Sequence, residues 1–147
     1  MPIRDATPDD LAEILAMVHE LATYEREPDA VVLDPATFEH HLFGPDAVAR
    51  ALIAETSDGA VAGFALWFRT FSTWLGTSGI WLEDLFVRPE WRRFGLGRAL
   101  LDELRTRTTG RVEWAVLDWN TSAQHFYRTL GAAPQDDWTT WRLVPRP

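Results

Sequence analysis

One stretch constrains this chain more than any other, Gly79 to Leu104, reading G-I-W-L-E-D-L-F-V-R-P-E-W-R-R-F-G-L-G-R-A-L-L-D-E-L. Ile80, Leu82, Leu85, Phe86 and Val87 are strand-type residues with apolar character on both faces, which predicts a strand central in a sheet. Glu83 and Asp84 therefore stand where carboxylates are costly. Pro89 ends the pairing because it has no N–H. Arg92, Arg93, Phe94, Gly95, Leu96 and Gly97 then lead into a helix with Leu96, Leu100 and Leu104 at i, i+4 and i+8. A helix opened by glycines offers free backbone N–H groups to an anion.

The rest of the chain is arranged around that unit. Pro2 to Ala6 reads as a short strand, and Thr7-Pro8-Asp9-Asp10 has the cap, the N1 proline and the N3 acid of a helix start. Leu11, Ile14, Leu15, Val18, Leu21 and Ala22 form its apolar stripe, which ends near Tyr24-Glu25. Asp34-Pro35 opens a second helix with Phe38 and Leu42 inward, and Gly44-Pro45 closes it. Val48 to Glu55 and Val61 to Phe71 are expected to be an antiparallel hairpin turned at Ser57-Asp58-Gly59. Arg111 to Asp118 reads as a strand, and Asn120-Thr121-Ser122 caps a fourth helix stopped by Gly131. Trp138 to Val144 is expected as a closing strand. The order β-α-α-β-β-β-α-β-α-β predicts one α/β (α+β) domain over residues 1–147, a mixed sheet with helices on its faces. A ligand in such a sheet sits beyond the carboxyl end of a central strand.

Charge and composition narrow the chemistry. A net charge of -8 argues against a nucleic-acid backbone as partner and favours small cations. With no cysteine, disulfides, thiolate metal sites and a covalent cysteine intermediate are all excluded. All basic residues are arginine, which excludes a lysine nucleophile. No apolar run reaches membrane-span length and no signal-peptide pattern opens the chain, so the expectation is a cytoplasmic protein without a membrane partner. The four histidines lack metal-ligand spacing and read as surface residues, so no metal site is expected.

Gly95-x-Gly97 alone decides little. Position 100 is leucine, which breaks the dinucleotide fingerprint, and Gly-Lys-Ser/Thr is absent, which breaks the phosphate loop. In Arg92-x-x-Gly95-x-Gly97 after a proline-ended strand, an arginine and successive N–H groups converge where a pyrophosphate fits. In these residues the chain resembles the GNAT superfamily of acetyl-CoA-dependent N-acetyltransferases. Trp119-Asn120-x-x-Ala123-x-x-Phe126-Tyr127-x-x-x-Gly131-Ala132 is similar to the superfamily's second CoA-side motif. Leu82 to Val87, Glu20-Leu21-Ala22-x-Tyr24-Glu25 and Trp141-Arg142-Leu143 resemble the diamine (spermidine/spermine-type) branch.

The resemblance implies a mostly antiparallel GNAT fold, acetyl-CoA as co-substrate and a homodimer. It implies that Arg92, Arg93, Phe94, Gly95, Leu96, Gly97 and Arg98 hold the CoA pyrophosphate, with Asn120, Ser122, Phe126 and Tyr127 also on the CoA side. Leu85, Phe86 and Val87 are implied to contact the co-substrate, and backbone N–H groups around Phe86 and Val87, where the superfamily strand bulges, are expected to polarise the acetyl carbonyl. Glu83 is implied to receive the amine proton through water in a partly dry cleft, and Tyr127 to meet the departing sulfur. By spacing alone Tyr127 reads instead as a core aromatic beside Phe126. Tyr24, Glu25, Asp84 and Trp141 are implied to hold a small cationic amine, a diamine or polyamine, with an amino acid, lysine analogue or aminoglycoside, or a silent acyl-CoA-binding module, as alternatives. Trp74 and Trp81 are further candidates to line the cleft. Adjacent strand residues point to opposite faces, so Glu83 and Asp84 are expected to serve different roles.

An alkylamine with a pKa of about 10.4 is nucleophilic in only roughly one molecule per thousand at pH 7.4, a deficit of about 4 kcal/mol. The site must therefore accept an ammonium ion and then take its proton.

Overall fold

The computed structural model describes residues 2–147, which fall into two compact units divided between Ala115 and Val116. The first contains β1 (Ile3–Asp5), α1 (Leu11–Tyr24), α2 (Pro35–Phe43), β2 (Arg50–Glu55), β3 (Val61–Ser72), β4 (Thr77–Val87), α3 (Leu96–Thr106) and β5 (Val112–Glu113). The second, Val116–Pro147, contains α4 (Thr121–Thr129). Single 3-10 turns at Pro8–Asp10 and Pro89–Trp91 precede α1 and follow β4.

The sheet has the order β1-β2-β3-β4-β5. Its first four strands are antiparallel, and β5 lies parallel to β4 after the α3 crossover. On one face α1 and α2 bury Ile14, Met17, Phe38 and Leu42 against Ala51, Ile53, Phe64, Leu66 and Phe86. The alternate residues Leu52, Ala54, Ala65 and Trp67 are fully buried on the opposite face. There α3 covers them, with Leu96, Leu100, Leu101 and Leu104 all buried. At 25 cal/mol per Å², each such leucine contributes about 2 kcal/mol.

Local chemistry sets the helix starts. The Thr7 N–H donates to the Asp10 carboxylate at 2.8 Å, and the Asp10 N–H to the Thr7 carbonyl at 2.9 Å. Arg4 pairs with the buried Asp10 through both guanidinium ends, which holds that carboxyl below the usual range. Asp34 caps α2 by accepting from the Thr37 N–H at 2.8 Å.

Three expectations about strands need correction. The strand expected over Arg111 to Asp118 is limited to Val112–Glu113, because its pairing with β4 stops at Trp81. The expected strand over Trp138 to Val144 does not form: the segment lacks a ladder, and the Trp138 N–H is spent on a local bond to the Gln135 carbonyl. Val48 and Ala49 lie outside β2 because both their N–H groups bond the His41 carbonyl.

Candidate active site

The central irregularity of the sheet lies in β4. Leu66 of β3 pairs with Asp84 and Trp67 pairs with Leu82, so β4 carries one extra residue, Glu83, in a bulge. A regular strand would send Glu83 and Asp84 to opposite faces, as the sequence alone leads one to expect. The bulge overturns that expectation. Asp84 pairs with Leu66 on the α1/α2 face, and the Glu83 carboxylate accepts from the Trp81 indole N–H at 3.0 Å, Trp81 itself being paired with Phe68 on that face. The expected bulge around Phe86 and Val87 is therefore displaced to Glu83, and those two residues pair regularly with Phe64 and Gly63.

A third carboxyl comes from the end of α1. Tyr24 is its last residue and Glu25 its cap, with the Glu25 N–H on the Leu21 carbonyl at 2.8 Å and the Glu27 N–H on the Ala22 carbonyl at 2.9 Å. Arg26 takes the left-handed conformation, φ 65°, that lets the chain turn off the helix. Burial raises the Glu25 carboxyl above its ordinary value. Asp84 is pushed up to about 6, first by burial and then by the fields of Glu83 and Glu25. Among the described residues none of these three acids is in an ion pair. The partly buried carboxyls are thus Asp84 and Glu25, whereas the partly dry cleft was expected around Glu83, which is exposed. Among the described residues no group of acids or histidines is placed to hold a metal.

The turn after β4 adjoins this cluster. The Arg92 Nε donates to the Val87 carbonyl at 2.8 Å, and its guanidinium lies 5.5 Å from the rings of both Tyr24 and Phe86. Gly95 caps α3 at φ 76°, a left-handed conformation that a side chain resists, and no atom stands within 4 Å of where its Cβ would be. Leu96 and Gly97 form the first turn of α3 with Leu96 buried as its anchor, while Arg92, Arg93, Phe94 and Arg98 are exposed around it. Past Trp81 the edge of β4 away from β3 has no ladder partner among the described residues, and there the Val87 carbonyl accepts from Arg92 instead.

Within the second unit, the buried Asn120 caps α4 by accepting from the Ala123 N–H at 3.3 Å, with the Ser122 hydroxyl 3.5 Å from the same oxygen. Phe126 and Tyr127 are half-buried with ring centroids 5.4 Å apart. Trp141 is 91% exposed. Trp74 sits 85% exposed beyond the end of β3 and so does not join the acids, whereas Trp81 does, through Glu83. All four histidines are exposed, as expected. The bulge and its placement of both acids on one face are what sequence reasoning missed. The signal was two charged residues side by side inside an apolar strand.

A family model described as "Acetyltransferase (GNAT) family" matches residues 12–132. The thialysine N-epsilon-acetyltransferase of Sus scrofa is 32% identical over 95% of this chain and 88% of its own length. The L-ornithine N5-acetyltransferase NATA1 of Arabidopsis thaliana is 29% identical over 97% of this chain and 83% of its own. Among solved structures, an integron cassette protein from V. cholerae superposes with a TM-score of 0.79 at 22% identity, over 98% of this chain and 92% of that one, a likeness of fold. A family match spanning most of the chain, a relative above 30% identity and the β4–turn–α3 geometry agree: the chain belongs to the GNAT acetyltransferase family and is an acetyl-CoA-dependent N-acetyltransferase acting on amines.

Proposed function

We propose that the acceptor is a small amine carrying a second positive charge, a diamine, polyamine or lysine-like amino acid, acetylated on a primary amine. The observation that carries this reading is the clustering of Glu25, Glu83 and Asp84 beside the Arg92–Gly97 turn. Asp84, whose proton affinity burial and the fields of Glu83 and Glu25 raise, is relieved when a dication enters the cluster, and a monocation relieves it less. The names of the relatives point the same way, since thialysine and ornithine each carry two amino groups.

Acetyl-CoA supplies the thioester whose carbonyl carbon the amine nitrogen attacks, with the C–S bond breaking and the acetyl group passing directly to nitrogen. The Gly95–Gly97 helix start and the exposed Arg92, Arg93 and Arg98 are assigned the pyrophosphate. The Leu85–Val87 edge, which lacks a ladder partner among the described residues, is assigned the pantetheine arm and acetyl carbonyl. Asp84 and Glu25 attract the ammonium, Tyr24 walls the cleft, and Glu83 receives the reacting proton through water. Asn120, Ser122, Phe126 and Tyr127 are assigned to the CoA side on their motif, with Tyr127 donating a hydrogen bond to the departing thiolate. Trp141 is assigned to the amine on its motif alone.

A second assignment of the proton acceptor has its own support. Asp84, at about 6, is closer to an ammonium's pKa than an ordinary carboxylate is, so proton transfer to it is less uphill. An amine panel with acetyl-CoA, read by free-thiol release, tests the function. Turnover favouring diamines over monoamines of equal length supports the reading. Equal turnover removes it, and stabilisation by CoA without thiol release with any amine would mean a silent binding module.

A further inference from the structure

Arg88, the residue that leaves β4, belongs to none of the motifs above. Its side chain is only 19% exposed and takes acceptors from two other elements. It reaches Glu13 at 2.7 Å and Glu20 at 3.2 Å, both on α1, and the Val61 carbonyl at the start of β3 at 3.1 Å. Glu13 and Glu20 are seven residues apart, two helical turns, so one guanidinium spans the outer stripe of α1. The Arg88 N–H is itself tied to the Ala62 carbonyl at 2.8 Å, which anchors the clamp in the sheet. The next residues along α1 are Leu21 to Tyr24 and then the Glu25 cap, which faces Asp84.

We propose that Arg88 is a positioning residue for amine recognition: by holding Glu13 and Glu20 it docks α1 on the end of β4 and sets where Tyr24 and Glu25 stand relative to Asp84. The inference rests on the acidic cluster being the amine site. It explains why a largely buried arginine is placed at this turn, where a single exposed ion pair contributes little to stability. The charge that selects the substrate is on Glu25 and Asp84, and Arg88 supplies their separation without touching the amine.

Two measurements on Arg88→Met and Arg88→Lys test it. Hydrogen exchange reads the cap directly, whatever the substrate. In Arg88→Met the amides of Glu25, Arg26 and Glu27 should exchange about tenfold faster, with those of Leu100 to Leu104 in α3 unchanged. Steady-state kinetics with a diamine and a monoamine of equal length reads the consequence. The diamine KM should rise about fivefold in Arg88→Met, kcat and the acetyl-CoA KM should stay within about twofold, and Arg88→Lys should recover part of the loss. Unchanged exchange at the cap overturns the proposal. So does faster exchange throughout the chain with both KM values and kcat moving together, the mark of general loosening. If wild type does not prefer the diamine, the amine reading fails, and the inference fails with it as a statement about recognition, even with a loosened cap. If Arg88→Met does not fold, Glu20→Gln, which removes one arm from an exposed position, should give a smaller change in the same direction.

Discussion

Replacing Asp84 by asparagine should make the unliganded protein more stable at neutral pH while impairing its chemistry. The Asp84 carboxyl is pushed from its ordinary 3.8 to about 6 by burial and by the fields of Glu83 and Glu25. At 1.36 kcal/mol per pH unit, that difference corresponds to about 3 kcal/mol of folding free energy lost when the group is ionised. The sign follows from the raised value. Below the unfolded pKa both states are protonated and there is no penalty. Between about 4 and 6 the unfolded chain ionises before the folded one, and the penalty grows. Above about 6 it is complete. Asparagine keeps the shape without the charge, so the variant should gain about 2–3 kcal/mol at pH 8 and nothing near pH 4. In melting temperature this is about 5–10 °C for a chain of this size. Urea denaturation of both proteins at a series of pH values measures it. A gain of equal size at pH 4 and pH 8, or none at pH 8, would refute the electrostatic origin. The same substitution should raise the KM for a dication more than for a monoamine.

The other predictions concern the chemistry and the turn. Glu83→Gln should lower kcat most at neutral pH and recover toward the amine pKa near 10, and an unchanged pH profile would move the proton acceptor from Glu83 to Asp84. Tyr127→Phe should slow turnover by about ten- to a thousandfold with little change in acetyl-CoA affinity, and wild-type turnover in that variant ends its role with the leaving thiolate. Gly95→Ala meets no atom within 4 Å, so its cost of about 1 kcal/mol comes from φ 76° alone; urea denaturation checks the stability, and calorimetry should show weaker acetyl-CoA binding.

The sequence carried the helices and most strands because their signals are local. The Asp34 cap, the Leu96/Leu100/Leu104 stripe and the hairpin between Glu55 and Val61 all depend on neighbours within a few residues. One expected strand shrank to two residues and another did not form, because a strand's extent is decided by its partner. Trp114 and Trp141 have strand-forming composition, but neither lies in a ladder. The site was legible as a list of residues and illegible as a shape. Alternation is an excellent rule until one residue is inserted, and the two acids at 83 and 84 obeyed the exception. Arg88 was invisible for a different reason: its partners Glu13 and Glu20 are about seventy positions away in the chain.

The bulge has a genetic meaning as well as a geometric one. Ile80 and Leu82 serve the core under α3, while Phe86 serves the core under α1 and α2, so even-numbered residues change sides midway along β4. Excising Glu83 would let Leu82 and Asp84 follow one another opposite Trp67 and Leu66, with every other pair in β3 and β4 left where it is. Most single-codon deletions inside a strand scramble all that follows. This one would edit out a candidate proton acceptor and leave the rest of the strand in frame with its neighbours. Codon 83 is therefore the position in β4 where selection for catalysis and selection for folding can be pulled apart by length alone.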